Sequence, residues 1–274
     1  MPAAETARIR VMTWNLWWRF GDHWHDRQRG ILSTLRAVRP DLAGLQEVWA
    51  TAETTQAEVL AGQLGMHFAF GAPSLPPPPR PPERPDQAGV EVGVAVLSRW
   101  PVLSVERHLL PSRHRPEVVA LAAVVDHPHG PLPVVASCID WEPEFATQRL
   151  DQTRALAALL GDLARDGPLP AFLTADLNSP PTTPEIHALT DVAVDAWAAA
   201  RGAADAGHTL STGNPFAPRA ATHLIDQRID YVLARPGAPA RPVVVERAFL
   251  AGDQPQEGLH PSDHYAVVAD FQLP

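Results

Sequence analysis

Leu173-Thr174-Ala175-Asp176-Leu177-Asn178 sets a carboxylate and an amide two residues apart at the end of an apolar run. The run Ala171 to Leu173 reads as a buried strand, and Ser179-Pro180-Pro181 cannot continue it. Asp176 and Asn178 therefore stand where strand gives way to loop, on one side of an extended chain. An acceptor-only carboxylate beside an amide that donates and accepts suits the holding and activation of a water molecule. The same spacing also suits a plain Asx turn, in which such side chains bond their own backbone. Four more polar clusters end or begin apolar runs: Asn15, Glu47, Asp230, and Asp263 with His264. Each has a bland alternative: Glu47 as a surface carboxylate, Asp230 as a strand-start acid, His264 as a packed core histidine.

The elements that must position these residues follow from periodicity. Arg8 to Trp14 alternates and delivers Asn15 to the carboxyl end of a strand. Trp24 to Val38 has helix spacing, stopped by Pro40. Asp41 to Leu45 is a second buried strand, ending at Gln46-Glu47-Val48. Ala52 to Leu64 reads as a helix ended by Gly65. Val92 to Ser98 is a buried strand, and Val102 to Leu110, Val118 to Asp126 and Leu132 to Ile139 are three more. Phe145 to Leu163 is an amphipathic helix. Pro184 to Leu189 and Val192 to Arg201 read as helical, and His208 to His223 as loop. Strands begin again at Arg228, Val243 and Tyr265. Several strands follow one another through short turns, which excludes a simple alternating barrel and predicts mixed sheets covered by helices. Leu16, Trp17, Trp18 and Phe20 read as core, with Trp17 or Trp18 as a pocket wall the rival reading. The pairs His23/His25 and His127/His129 read as solvated turns rather than metal ligands.

The chain of 274 residues shows no internal repeat and is read as one domain over 1–274. The proline-dense stretch Pro73 to Pro85 excludes helix and central strand and is read as an extended insert. No apolar run approaches a membrane span, and Met1 to Arg10 holds no signal core, so a cytoplasmic setting is expected. The single Cys138 excludes an internal disulfide framework. A formal net charge of -9 without a basic run weighs against tight DNA binding and leaves small phosphate esters open. No protein partner is evident.

In their order, Thr13-Trp14-Asn15, Gln46-Glu47-Val48, Ala175-Asp176-Leu177-Asn178, Arg228-Ile229-Asp230-Tyr231 and Ser262-Asp263-His264 resemble the motifs of the endonuclease/exonuclease/phosphatase superfamily. The resemblance runs from about Arg8 to Phe271. It implies a four-layer α/β sandwich, with two mixed sheets face to face and helices outside. It also implies hydrolysis of a phosphate ester with a divalent cation, magnesium or alternatively manganese, at one edge of the sandwich. Under it, Glu47 is the principal carboxylate ligand, with Asn15 and Asp263 completing or orienting that shell. Asp176 accepts a proton from the attacking water, and Asn178 holds that water or a phosphate oxygen. His264 binds phosphate or shuttles a proton, and Asp230 bonds His264. Asp176 and the His264–Asp230 pair both remain available as the base.

Two positions depart from the family pattern. Cys138 falls where a histidine is expected, and a thiol is a far weaker donor to phosphate. It is read as a small buried residue, with a nucleophilic thiol as the lesser alternative. Arg113, His114 and Arg115 are the candidates to replace the missing donor. Ala175 stands where glycine is common. Trp17, Trp18 and Trp141 are candidates to wall an apolar pocket. The expected function is a magnesium-dependent phosphoesterase acting on a phosphodiester, or a monoester, of a small or lipid-like substrate. The alternatives are a nuclease and a metal- or phosphate-binding module with impaired turnover. The substrate-reading loops are expected to be the proline insert, Ser112 to Pro116, and His208 to His223.

Overall fold

Alternation in Arg8–Asn15 (β1) sends Ile9 and Val11 to one face and Met12 and Trp14 to the other, and both faces are buried. A strand buried on both faces belongs at the centre of a layered structure. The computed structural model describes residues 7–115 and 117–274. Pro116 of the Ser112–Pro116 segment and the first six residues of the Met1–Arg10 stretch lie outside them.

β1 runs parallel to Leu42–Ala50 (β2) and antiparallel to Ala266–Gln272 (β12). With His67–Gly71 (β3), Glu91–Ser98 (β4) and Val244–Ala251 (β11) they form a six-stranded sheet of order β11-β12-β1-β2-β4-β3. The second sheet holds Val102–Leu109 (β5), Val119–His127 (β6), Gly130–Cys138 (β7), Ala171–Asp176 (β8), Val194–Asp195 (β9) and Asp230–Arg235 (β10). Its order is β5-β6-β7-β8-β10-β9, with β7 and β8 parallel. Helices Trp24–Val38 (α1) and Gln56–Leu64 (α2) bury Ile31, Leu35 and Leu60 against Met12, Trp14 and Leu45. Helices Ala146–Leu163 (α3) and Pro184–Thr190 (α4) belong to the second sheet, through Leu156 and Ile186, whereas Ala196–Arg201 (α5), with buried Trp197, lies against β11 of the first sheet as well as β10 of the second. The result is the four-layer α/β sandwich, two mixed sheets between helices. No helix among the described residues is long and apolar enough to cross a membrane.

The sheets approach closely at Gly44, where an added Cβ would lie 1.8 Å from Thr174 Oγ1. Beside it a polar strut crosses the core: Gln46 Nε2 donates to the Thr174 carbonyl at 3.1 Å, and Thr13 Oγ1 to Gln46 Oε1 at 3.2 Å.

Three expectations are corrected, and one strand had no counterpart among them. β2 does not end at Gln46-Glu47-Val48 but runs to Ala50, because a bulge takes Glu47 out of the ladder at φ 52°. The helix expected from Ala52 starts at Gln56, where Thr55 Oγ1 accepts from the Glu58 amide at 3.0 Å. The helix expected from Val192 starts at Ala196, because Val194 and Asp195 pair with β10 and Asp195 caps the turn that follows. Strand β3 was unanticipated; it is a short edge strand after a helix closed by left-handed Gly65. The proline segment is neither helix nor strand apart from a 3-10 turn at Pro85–Gln87.

Candidate active site

The parallel pairs β1–β2 and β7–β8 bring strand ends to one edge of the sandwich. In the first sheet Asn15 lies opposite Gln46, one residue before the Glu47 bulge. In the second, Asp176 lies between Cys138 on β7 and Asp230, the first residue of antiparallel β10. Asn15 joins the two sheets: its Nδ2 donates to Glu47 Oε1 at 2.7 Å and to Asp176 Oδ2 at 3.0 Å. Its Oδ1 accepts from the Trp17 amide at 2.9 Å. Asp176 Oδ1 accepts from the Asn178 amide at 3.1 Å, the Asx-type bond open from the sequence. Asn178, at φ 46°, spends its Nδ2 on the Ile139 carbonyl at 2.9 Å, which leaves its Oδ1 toward the cavity as an acceptor.

The last segment is tied in from below. Ser262 Oγ donates to the Asn15 carbonyl at 2.7 Å, and Trp14 Nε1 to the His264 carbonyl at 3.0 Å. Asn214 Nδ2 donates to the carbonyls of Ser262 and Asp263 at 2.8 and 3.1 Å. His264 Nδ1 bonds Asp230 Oδ2 at 2.9 Å, so its other ring nitrogen is the one free to act.

Burial dominates the electrostatics. It pushes Glu47 up to about 8, with the charge of Asp263 adding to it. It pushes Asp176 up to about 7, helped by Asp230. Asp263 is raised for the same reason. Burial opposes the charge on His264, but Asp230 and Asp263 overcome it and hold the imidazole well above its usual value. Burial, then Asp176, pushes the Cys138 thiol well up, so the sulfur stays protonated and is a poor nucleophile. Its Sγ lies 3.9 Å from Asp176 Oδ2.

The donor set fits a hard divalent cation. Glu47 Oε2 is buried and has no hydrogen-bond partner, a costly state that a cation relieves. Asp176, Asp230 and His264 also offer atoms within 4.8 Å of one another. There His264 Nδ1 and Asp230 Oδ2 are spent on each other, while Asp230 Oδ1, like Glu47 Oε2, is buried without a partner; of the two carboxylates Glu47 is the one that lines the cavity.

The open cavity over these groups measures about 170 Å³. Cys138, Trp141, Asp176, Asn178, Asp263 and His264 line it with Glu47, while Asn15 and Asp230 stand just behind. Trp17 lines it, whereas Trp18 is core, packed with Trp24 and Trp49. Of the three expected substrate loops, the proline segment contributes Leu75 and Pro76, and the 208–223 loop Leu210, Pro218 and Ala221. Arg113, His114 and Arg115 do not reach the cavity. Asp140 takes Arg115 Nε at 2.7 Å and His114 Nε2 at 3.2 Å, Glu142 also pairs with Arg115, and Arg113 lies 3.6 Å from Asp151. His114 and Arg115 face the acids that follow β7, and Arg113 faces α3, rather than the cavity.

One residue of the site went unnoticed in the sequence. Arg27 is fully buried in α1 and donates to the carbonyls of Leu16, Trp17, Trp18, Phe20 and Pro261. Its guanidinium lies 4.5 Å from the Trp17 ring centroid, and burial lowers it to about 10. The signal was present: Trp24, Arg27, Ile31 and Leu35 share one helical stripe, so an arginine occupies a core position.

Comparisons with known proteins agree with this geometry. A search of curated protein sequences returned no match. Among solved structures, an endonuclease/exonuclease/phosphatase from Beutenbergia cavernae superposes with a TM-score of 0.73 at 25% identity, over 97% of this chain and 72% of that one. D. rerio TDP2 complexed with a single-strand DNA product superposes with a TM-score of 0.73 at 18% identity, over 97% and 99%. The human Nocturnin catalytic domain with bound sulfate gives 0.75 at 19%, over 97% and 95%. The family model for the endonuclease/exonuclease/phosphatase family matches residues 12–264, a span that contains every residue of the site, and the chain belongs to that family.

Proposed function

We propose that this phosphate-ester hydrolase is a magnesium-dependent phosphodiesterase, with manganese able to substitute. The observation that carries the reading is the unpartnered, buried Glu47 Oε2 beside Asp176, which is held near neutrality. Glu47 would hold the cation, with Asp263 and Asn15 completing or orienting its surroundings. When bound, the cation supplies charge stabilisation at the phosphoryl oxygens. Asp176 takes the proton of the attacking water, a task suited to a group poised near working pH. Asn15 Nδ2 and the Asn178 backbone amide fix its two oxygens, and Asn178 Oδ1 accepts from the same water. His264, kept cationic by Asp230, donates to a phosphate oxygen or to the leaving oxygen. Assigning the base to Asp176 rests on its shared bond with Asn15; the His264–Asp230 pair is then the acid.

Charge favours a diester over a monoester. Glu47, Asp176, Asp230 and Asp263 crowd the site, and no arginine or lysine lines the cavity among the described residues. A monoanion enters such a field at lower cost than a dianion. The nuclease reading draws on the likeness to TDP2 with its DNA product, but among the described residues no arginine or lysine lines the cavity to meet a polynucleotide's phosphates. We read residues 1–274 as one domain working in the cytoplasm.

The test is hydrolysis of bis(p-nitrophenyl) phosphate, p-nitrophenyl phosphate, single-stranded DNA and RNA, with magnesium or with chelator, beside Asp176→Asn. The expected result is metal-dependent diester turnover that falls roughly 10²–10⁴-fold in the variant. Magnesium binding without turnover of any ester would replace this reading with a binding module. Monoester or salt-sensitive DNA turnover alone would replace the substrate.

A further inference from the structure

We infer that the cavity receives the apolar alcohol portion of the ester and that the proline-rich segment forms part of its wall. The inference rests on the phosphodiesterase reading and adds the kind of group that the phosphate carries. The polar lining residues all belong to the catalytic set already named. The rest of the lining is apolar and comes from separate parts of the core. Phe20 belongs with the cluster of Trp18, Trp24 and Trp49, whereas Leu210, Leu224 and Ile229 pack with Trp141. Leu75 comes from the proline-rich segment and is itself 2% exposed. At Cys138 a neutral thiol adds to this surface.

The wall is held in place. The Ser74 amide donates to the Val92 carbonyl at 2.8 Å, fixing the backbone next to Leu75. Further along the segment, Gln87 Nε2 donates to the Arg19 carbonyl at 3.0 Å, and Arg84 grips the carbonyls of Arg19 and Gly21. Trp24 Nε1 donates to Asp86. The segment is thereby latched to the loop that carries Trp17 and Phe20, so two lining elements are fixed relative to each other. A wall held this way is preorganised, and an occupant does not have to order it.

Size limits the occupant. An apolar cavity of about 150 Å³ takes a benzene-sized molecule, and this one measures about 170 Å³ and has Glu47, Asp176 and His264 as well as apolar side chains in its lining. The phosphate and the alcohol share that space, so a short alkyl chain fits inside, and a ring or anything longer continues into the open mouth. A second nucleotide would instead meet apolar side chains where it needs cations.

The test uses dimethyl, methyl butyl and methyl hexyl phosphate as competitors of bis(p-nitrophenyl) phosphate turnover. Binding of the same three, read by tryptophan fluorescence with magnesium present, runs beside it. Each methylene buried tightens binding roughly fourfold, so butyl should exceed methyl by up to about sixtyfold. The hexyl ester should add less per carbon, because the cavity is filled. Leu75→Ala should reduce the butyl-to-methyl ratio at least threefold, and Trp141→Ala serves as the second variant if the first does not fold. Equal affinities across the series, or a short oligonucleotide outcompeting the butyl ester, would overturn the inference. If no ester is turned over, the phosphodiesterase reading fails, and the fluorescence series still decides whether the cavity selects apolar esters.

Discussion

Replacing Arg27 by methionine keeps the length of the side chain and removes its charge and its donors. Five carbonyls then lose a donor, Leu16 at 3.0 Å, Trp17 at 3.0 Å, Trp18 at 3.1 Å, Phe20 at 2.9 Å and Pro261 at 3.2 Å, and of these Trp17 keeps a second one, the Phe20 amide at 3.2 Å. A buried acceptor left unpaired costs about 1–3 kcal/mol, but the 16–20 loop can turn some of these carbonyls to water. With two of these acceptors left dry the loss is about 3–5 kcal/mol. At roughly 2–4 °C per kcal/mol for a chain of this class, the melting temperature falls by roughly 6–20 °C. Arg27→Lys keeps the charge, but one ammonium cannot span both the 16–20 loop and Pro261, so it should fall between. Magnesium affinity separates two roles for the residue. If Arg27 acts only as a nearby positive charge, its loss relieves repulsion and magnesium binds more tightly. If it positions Trp17 and the segment leading to Asp263, its loss loosens the cation site and magnesium binds more weakly. We expect weaker binding, measured by calorimetry at pH 8 and well below the melting temperature of the variant. A variant that melts within about 2 °C of the parent, or binds magnesium as tightly or more tightly, would refute the positioning role.

The site should also set how stability responds to pH. Glu47 and Asp176 stand at about 8 and about 7 in the folded, metal-free chain against ordinary values of 4.5 and 3.8, and His264 is raised too. The folded chain therefore holds more protons than the unfolded one from about pH 4 to about pH 8, and stability falls as pH rises across that window. Melting curves in chelator should show that fall, and magnesium should stabilise more at pH 8 than at pH 6 because it displaces those protons; a metal-free melting temperature that climbs over the window would contradict the assignment. Gly44→Ala should cost about 1–3 kcal/mol, since its Cβ would overlap Thr174 across the sheets, and denaturant unfolding of Gly44→Ala with and without Thr174→Ala, which removes the Oγ1 that the new Cβ meets, should show partial compensation. Cys138→His restores a cationic donor beside Asp176, so the monoester-to-diester ratio of kcat/KM should rise at least tenfold; an unchanged ratio would mean that position 138 does not touch the phosphate.

What was legible in the chain was local. Asn15, Asp176, Asp230 and Asp263 with His264 stand at ends of apolar runs, and proline or polar residues mark where those runs stop. What was not legible depended on partners far away in sequence. Glu47 looked like a strand end because its bulge is defined by the register of β4, which resumes at Val48. Val194 and Asp195 looked helical because their pairing is with β10, about forty residues on. Arg113, His114 and Arg115 formed a visible basic cluster, but Asp140 and Glu142 compete for it, and only the pairing of β6 with β7 brings those acids near. Arg27 was readable as a cation on an apolar stripe, yet nothing in the sequence says which carbonyls it would gather.

The site depends on the distance between two sheets, a quantity that no single strand encodes. Glu47 belongs to the first sheet and Asp176 to the second, and one amide, Asn15 Nδ2, bonds both. Two donors on one nitrogen span only a few ångströms, so the sheets must be close where β1 and β8 end. Gly44 permits that approach, because any side chain there would meet Thr174. Gln46 then holds it, by carrying a hydrogen bond from the first sheet to the Thr174 carbonyl. Gly44, Gln46 and Thr174 reach neither the cavity nor a substrate. They fix how far apart the proposed metal-holding carboxylate and the proposed base can be, and thereby make two strand ends into one site.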